Sequence, residues 1–191
     1  MIRPGRDRLQ GIVEIDESYV GEEEEGVAGR QTEKKAIVAI AVEVVFPKGV
    51  GRVRMQRVNC VSAAELGAFV RASVEPGAIV HTDGWSGYSE LREHGYIHDR
   101  TVISSTGDPA HIAMPAVHRV ASLLKRWLLG THQGAVSRKH LDYYLDEFTF
   151  RFNRRSSASR GKVFYRLAQQ VVQMDPLPYR SIVGRPEVEP S

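Results

Sequence analysis

The 191-residue sequence predicts an α/β fold: a five-stranded mixed sheet flanked by helices, with a C-terminal helical extension. Three observations carry this reading. Apolar periodicity changes along the chain in the order strand, strand, strand, helix, strand, helix, strand, helix. The first three strands follow one another as in an antiparallel meander. A helix intervenes before the fourth strand, which implies parallel pairing there. A hydrophobic content of 42% supplies a core for one domain of this length. In such a sheet the first and fourth strands lie side by side.

Residues 11–20 alternate as a strand, with Glu14, Asp16 and Ser18 on one face and Val13, Ile15 and Tyr19 on the other. Aspartate is unfavourable in mid-strand, so Asp16 calls for a partner or a task. Residues 21–34 hold four consecutive glutamates between glycines and read as an exposed loop. Residues 36–46 are a continuous β-branched run, expected to be a strand covered on both faces. After a turn at 47–50, residues 51–58 alternate arginine with apolar side chains, as a half-exposed strand does. Ser62 and Glu65 form a capping box that opens a helix to about Val74, with Leu66, Phe69 and Val70 inward and Pro76-Gly77 ending it. Residues 78–82 make a short strand with Asp83-Gly84 at its C-terminal end, 86–95 a short helix, and 96–103 another strand.

A polar loop, 104–109, leads to the helix at 117–130, whose Val117, Val120, Leu124, Trp127 and Leu128 form one stripe and whose Gly130 is a natural stop. His118 and Lys125 lie within roughly 20° of each other around its axis and about 10 Å apart along it. Residues 131–135 connect it to a helix starting near Ser137, with Leu141, Tyr144, Leu145, Phe148 and Phe152 inward. A basic connector at 153–162 precedes a last helix at 163–172. The tail 176–191, with four prolines, is expected to be disordered. The domain is bounded at 11–172, with 1–10 a leader and 173–191 a tail.

The single cysteine, Cys60, excludes an internal disulfide framework and a Cys-rich zinc module within this sequence. No apolar run reaches membrane-span length, and residues 1–10 lack the apolar region of a signal peptide, so a cytoplasmic location is expected. Net charge is +3, unevenly placed: residues 116–166 hold eleven Lys/Arg against three Asp/Glu, an excess of eight that leaves −5 elsewhere. A basic C-terminal third points to a polyanion partner.

With strands one and four adjacent, Asp16 and Asp83 face each other and the helix carrying His118 runs past both. Converging carboxylates repel unless a cation lies between them, and hard oxygen ligands suit magnesium or manganese. Such sites perform in-line phosphodiester chemistry. Glu14 shares the Asp16 face and is a candidate accessory carboxylate. His81, His98, His111, His132 and His140 show no tight ligand spacing and are expected on the surface or in loops.

The segments Val-Glu-Ile-Asp16-Glu-Ser-Tyr-Val-Gly and His-Thr-Asp83-Gly-Trp-Ser-Gly-Tyr, with His118 thirty-five residues further on, resemble the DDE-type pattern of RNase H-like transposases. Lys125 matches the basic residue seven positions after the third catalytic one. The runs 118–134 and 144–155 are similar to the ISXO2-like branch of insertion-sequence transposases, and the resemblance covers roughly 11–172. It implies an RNase H-like fold and metal-dependent hydrolysis and strand transfer at insertion-sequence ends. Asp16, Asp83 and His118 would be the Mg2+ or Mn2+ ligands, and Lys125 would be catalytic, touching DNA beside the scissile phosphate. Arg126, Arg151, Arg154 and Arg155 are further candidates for the DNA backbone; for the last arginines the alternative is a basic helix end that offsets exposed carbonyls. DNA is the implied partner, bound by a homo-oligomer, with no membrane.

Two departures stand out. The third position is histidine, which this branch accepts in place of glutamate and which should favour manganese. Members of the branch also carry an N-terminal zinc ribbon and helix-turn-helix region, whereas this sequence starts almost at the first catalytic strand; a truncated frame or an isolated domain is expected. The competing reading is a non-catalytic remnant that binds DNA without cutting it, and a third is a structure-specific nuclease on the same fold.

Overall fold

The computed structural model describes residues 6–21, 35–47, 49–101, 113–133, 136–159, 161–176 and 178–179. The expected loop at 22–34, the polar loop with His111, residues 134–135 and the end of the tail lie outside them. The chain divides into two units, one of residues 7–156 and one of 1–6 with 157–191.

The first unit is built on five strands: β1 Ile12–Val20, β2 Ala36–Val45, β3 Gly49–Val58, β4 Ile79–Asp83 and β5 Ile97–Thr101. Their order across the sheet is β3-β2-β1-β4-β5. β1, β2 and β3 pair antiparallel; β4 pairs parallel with β1 and β5 parallel with β4. The mixed sheet expected from element order is the one observed.

Alternation along β1 sorts the core into two layers. Val13 and Ile15 join Ala39, Ala41 and Val80 beneath α1, Ala63–Ser73, through Leu66, Phe69 and Val70. On the other face Val38, Ile40, Val42 and Met55 meet α2, Pro115–His132, and α3, Leu141–Phe152. β2 is buried on both faces from Ala36 to Val42, as its unbroken apolar run requires.

Several local expectations are adjusted. The Ser62 hydroxyl caps Glu65 N–H at 3.3 Å, but the Glu65 carboxylate reaches Asn59 N–H at 2.7 Å. α2 begins two residues before Val117 and passes through Gly130 to His132; the left-handed residue that ends it is Gln133, φ 52°. Tertiary contacts of Leu128 and packing of His132 on Trp127 and Tyr144, ring centroids 5.1 and 4.2 Å away, hold the extra turn. α3 starts at Leu141 because 138–140 form a turn. Residues 86–92 are a 3-10 helix. Arg54, expected on a half-exposed strand, is 5% exposed and donates to the Val53 and Asp7 carbonyls.

The open edge of β3 is closed by the end of α3. Asn153 takes the Val53 N–H on Oδ1 at 2.7 Å and returns Nδ2–H to the Val53 carbonyl at 3.1 Å, as a neighbouring strand would. In the second unit, α4 spans Lys162–Val171.

Candidate active site

Asp16 lies in β1, half-buried, on the face turned to α2. Asp83 ends β4, also half-buried. The β1–β4 ladder pairs Glu14 with His81, an offset of 67 (81 minus 14). Continued past the last paired residues, that offset aligns the two aspartates on adjacent parallel strands. Asp83 Oδ1 accepts the Trp85 N–H at 3.1 Å, which orients its carboxylate. His118, in the first turns of α2, brings Nε2 to 3.8 Å from Asp16 Oδ2. Asp16 and His118 are thus brought together, and Asp83 stands beside them at the end of the next strand.

Among the described residues, no group of three or more His, Cys, Asp or Glu side chains is placed so that it could hold a metal ion. The donor chemistry of Asp16 and Asp83 is that of a magnesium-type site, in which the cation keeps several waters and is held through one or two carboxylates and substrate phosphates.

Lys125 is exposed on α2 at a groove of about 360 Å3, facing Tyr19, Val20 and Gly21 at the end of β1 and sharing it with Lys35. Arg126 is exposed on the same helix. Arg151 pairs with Glu147 at 3.2 Å while remaining 65% exposed. Arg154 and Arg155 are engaged within the fold. Arg154 donates to the Phe150 carbonyl and lies 3.8 Å over its ring. Arg155 donates to the carbonyls of Phe152, Gly51 and Val50 and lies 3.9 Å over the Phe152 ring. Burial, then the charge of Arg119, lowers the Arg155 guanidinium below its ordinary value.

Two long-range ties at the site were not read from the sequence, although Glu14 was expected as an accessory carboxylate on the Asp16 face. Glu14, 4% exposed, accepts the Val117 N–H at 2.8 Å. Burial raises its carboxyl above the usual range, against the lowering effect of the Val117 and Ala116 N–H groups and of His81 and His118. Glu17, on the opposite face of β1, accepts the Tyr88 hydroxyl. Burial and then the Glu17, Asp16 and Asp83 charges push this phenol well above its ordinary range, so it stays a donor. A signal for Glu14 and Glu17 existed: they flank Asp16 at offsets that place one on each buried face.

The histidines also depart from expectation. His98 is 5% exposed on β5, and His81 sits within β4. His98 Nε2 and the Asp83 carbonyl oxygen each lie 2.9 Å from Thr82 Oγ1, which ties the buried ring to the end of β4.

No helix among the described residues is long and apolar enough to cross a membrane. No curated protein matches the chain. Among solved structures it is similar to the catalytic core domain of BIV integrase, with 14% sequence identity, a TM-score of 0.51, and coverage of 86% of this chain and 99% of that one. That likeness shows the fold to be RNase H-like. The model of the ISXO2-like transposase domain matches residues 8–153, the whole sheet together with α1, α2 and α3. The chain belongs to the family of ISXO2-like transposase domains.

Proposed function

We propose that residues 11–172 are a metal-dependent transposase catalytic domain that hydrolyses a phosphodiester at an insertion-sequence end and transfers the freed 3′-hydroxyl to target DNA. The observation that supports this best is the β1–β4 register that, continued past its last pair, aligns Asp16 with Asp83, with His118 Nε2 3.8 Å from Asp16.

Asp16, Asp83 and His118 would hold Mg2+ or Mn2+. A divalent cation there supplies Lewis-acid activation of water and stabilisation of the leaving oxygen. Asp16 and Asp83 contribute hard anionic oxygens, and the Trp85 N–H keeps Asp83 oriented. His118 contributes a nitrogen lone pair, for which it must be unprotonated; its imidazole favours manganese over magnesium. Lys125, about two turns further along the same edge of α2, contacts the backbone beside the scissile phosphate. Arg126, Arg151, Arg154 and Arg155 extend that contact along the duplex. The domain acts in the cytoplasm on DNA, as a homo-oligomer assembled on the element ends.

The test is nicking and joining of a duplex that carries the inverted repeats flanking the gene, with each metal. Asp83→Ala and Asp16→Ala should lower the rate on the order of 10³-fold or more. Cleavage by Asp83→Ala at the parent rate would sink the catalytic reading. Parent protein that binds this DNA and never cuts it, with either metal, would establish a non-catalytic DNA binder instead.

A further inference from the structure

We propose that Glu14 and Glu17 are positioning residues, docking from the two faces of β1 the elements that carry His118 and Asp83. This rests on the transposase reading of Asp16, Asp83 and His118.

On the first face, α2 starts without a cap of its own. Met114, at the N-cap, makes no side-chain hydrogen bond, and Pro115 is the first helical residue. The N–H groups of that turn have no acceptor within the helix. Glu14, 103 residues earlier in sequence, takes the Val117 N–H at 2.8 Å. A carboxylate this buried is tolerated only when so bonded. Val117 is the residue before His118, and Glu14 is two residues before Asp16 on the same strand face. The anchoring bond and the Asp16–His118 contact thus join the same two elements one step apart.

On the second face, the β1–β4 ladder stops at Glu14 and His81, short of both aspartates. The tie that takes over is a side-chain one. Tyr88, 1% exposed, donates its hydroxyl to Glu17. Its ring meets Trp85 edge-on, centroids 5.7 Å apart at 88°. Trp85 N–H in turn holds Asp83 Oδ1. Gly87 is what lets this turn close: a Cβ there would lie 1.7 Å from Trp85 Cζ3. The sequence Asp83-Gly-Trp-Ser-Gly-Tyr88 is thereby a clamp that grips β1 next to Asp16.

Positioning and direct action on the cation make opposite demands on the variants. Glutamine keeps an acceptor for Val117 N–H or Tyr88 O–H and removes the charge; Glu14→Ala and Tyr88→Phe break the bonds. The experiment records amide spectra of the metal-free full chain and its affinity for Mn2+. Glu14→Ala should move the Val117 and His118 signals, and Tyr88→Phe those of Trp85 and Asp83, each with a loss of about 10–100-fold in Mn2+ affinity. Glu14→Gln and Glu17→Gln should stay near the parent in both readouts. Unchanged spectra and affinity in Glu14→Ala and Tyr88→Phe would overturn the proposal. So would parent-like spectra with weak Mn2+ binding in the glutamine variants, since the carboxylates would then act through their own charge. If Glu14→Ala does not fold, Glu14→Gln and Tyr88→Phe decide. If the parent binds Mn2+ no better than Asp16→Ala, the metal reading fails, and the spectra alone still decide whether these residues position His118 and Asp83.

Discussion

At the scale of single residues, histidine at position 118 changes what the site can hold. In the proposed site it would offer a nitrogen lone pair where a carboxylate would be harder and anionic. His118→Glu is therefore expected to retain or strengthen magnesium binding relative to the parent, and His118→Ala to weaken both metals; a Mg2+/Mn2+ titration measures this. His98 offers a prediction independent of catalysis. Burial first, then the charges of Arg100 and Arg92, holds its folded pKa below the ordinary 6.5. A base whose pKa is lowered on folding binds fewer protons folded than unfolded, so stability rises with pH through that window and is lost as pH falls below about 6.5. Urea midpoints across this range should fall towards acid, and His98→Gln should flatten the fall. A slope unaltered by that substitution would assign the acid sensitivity to other groups.

At the scale of elements, the end of α3 does for β3 what a sixth strand would do. Asn153 satisfies both backbone groups of Val53, and Arg155 donates to the carbonyls of Gly51 and Val50 alongside. Asn153→Ala should leave the Val53 groups without those partners and cost about 1–3 kcal/mol, read from denaturant unfolding. Restoration of most of that loss by Asn153→Gln is not expected, because the longer side chain displaces the amide from both groups. A variant as stable as the parent would show that solvent satisfies this edge equally well. The same geometry gives the basic end of α3 a structural task beside the DNA contact proposed for it.

At the scale of the molecule, charge is distributed as a polyanion binder's would be, with the excess of eight positive charges lying in 116–166. Duplex affinity should fall steeply with salt, and each phosphate contact removed should reduce the slope by about 0.9. Lys125→Ala with Arg126→Ala should flatten it by roughly two units without loss of stability, since both side chains are exposed. Arg154→Ala with Arg155→Ala should flatten it as well while lowering stability, because these guanidiniums also bind helix and strand carbonyls. A slope that none of the four substitutions alters would direct DNA to another face.

What the sequence by itself determined is the element order, the mixed sheet and the face of β1 that carries Asp16, because two-residue alternation and short local connections are written in the chain. The motifs around Asp16, Asp83 and His118 carried the family resemblance for the same reason: each is a contiguous run. Tertiary structure alone decided the partners that lie far apart in sequence. Glu14 at Val117, Glu17 at Tyr88 and Asn153 at Val53 are separated by 103, 71 and 100 residues, and no periodicity encodes such pairs. It also decided where α2 ends, since packing of Leu128 and His132 outweighs the weak helix preference of Gly130. Burial of His98 followed from β5 pairing with β4, a long-range event that hides a histidine whose local sequence, Ile97-His98-Asp99-Arg100, reads as exposed.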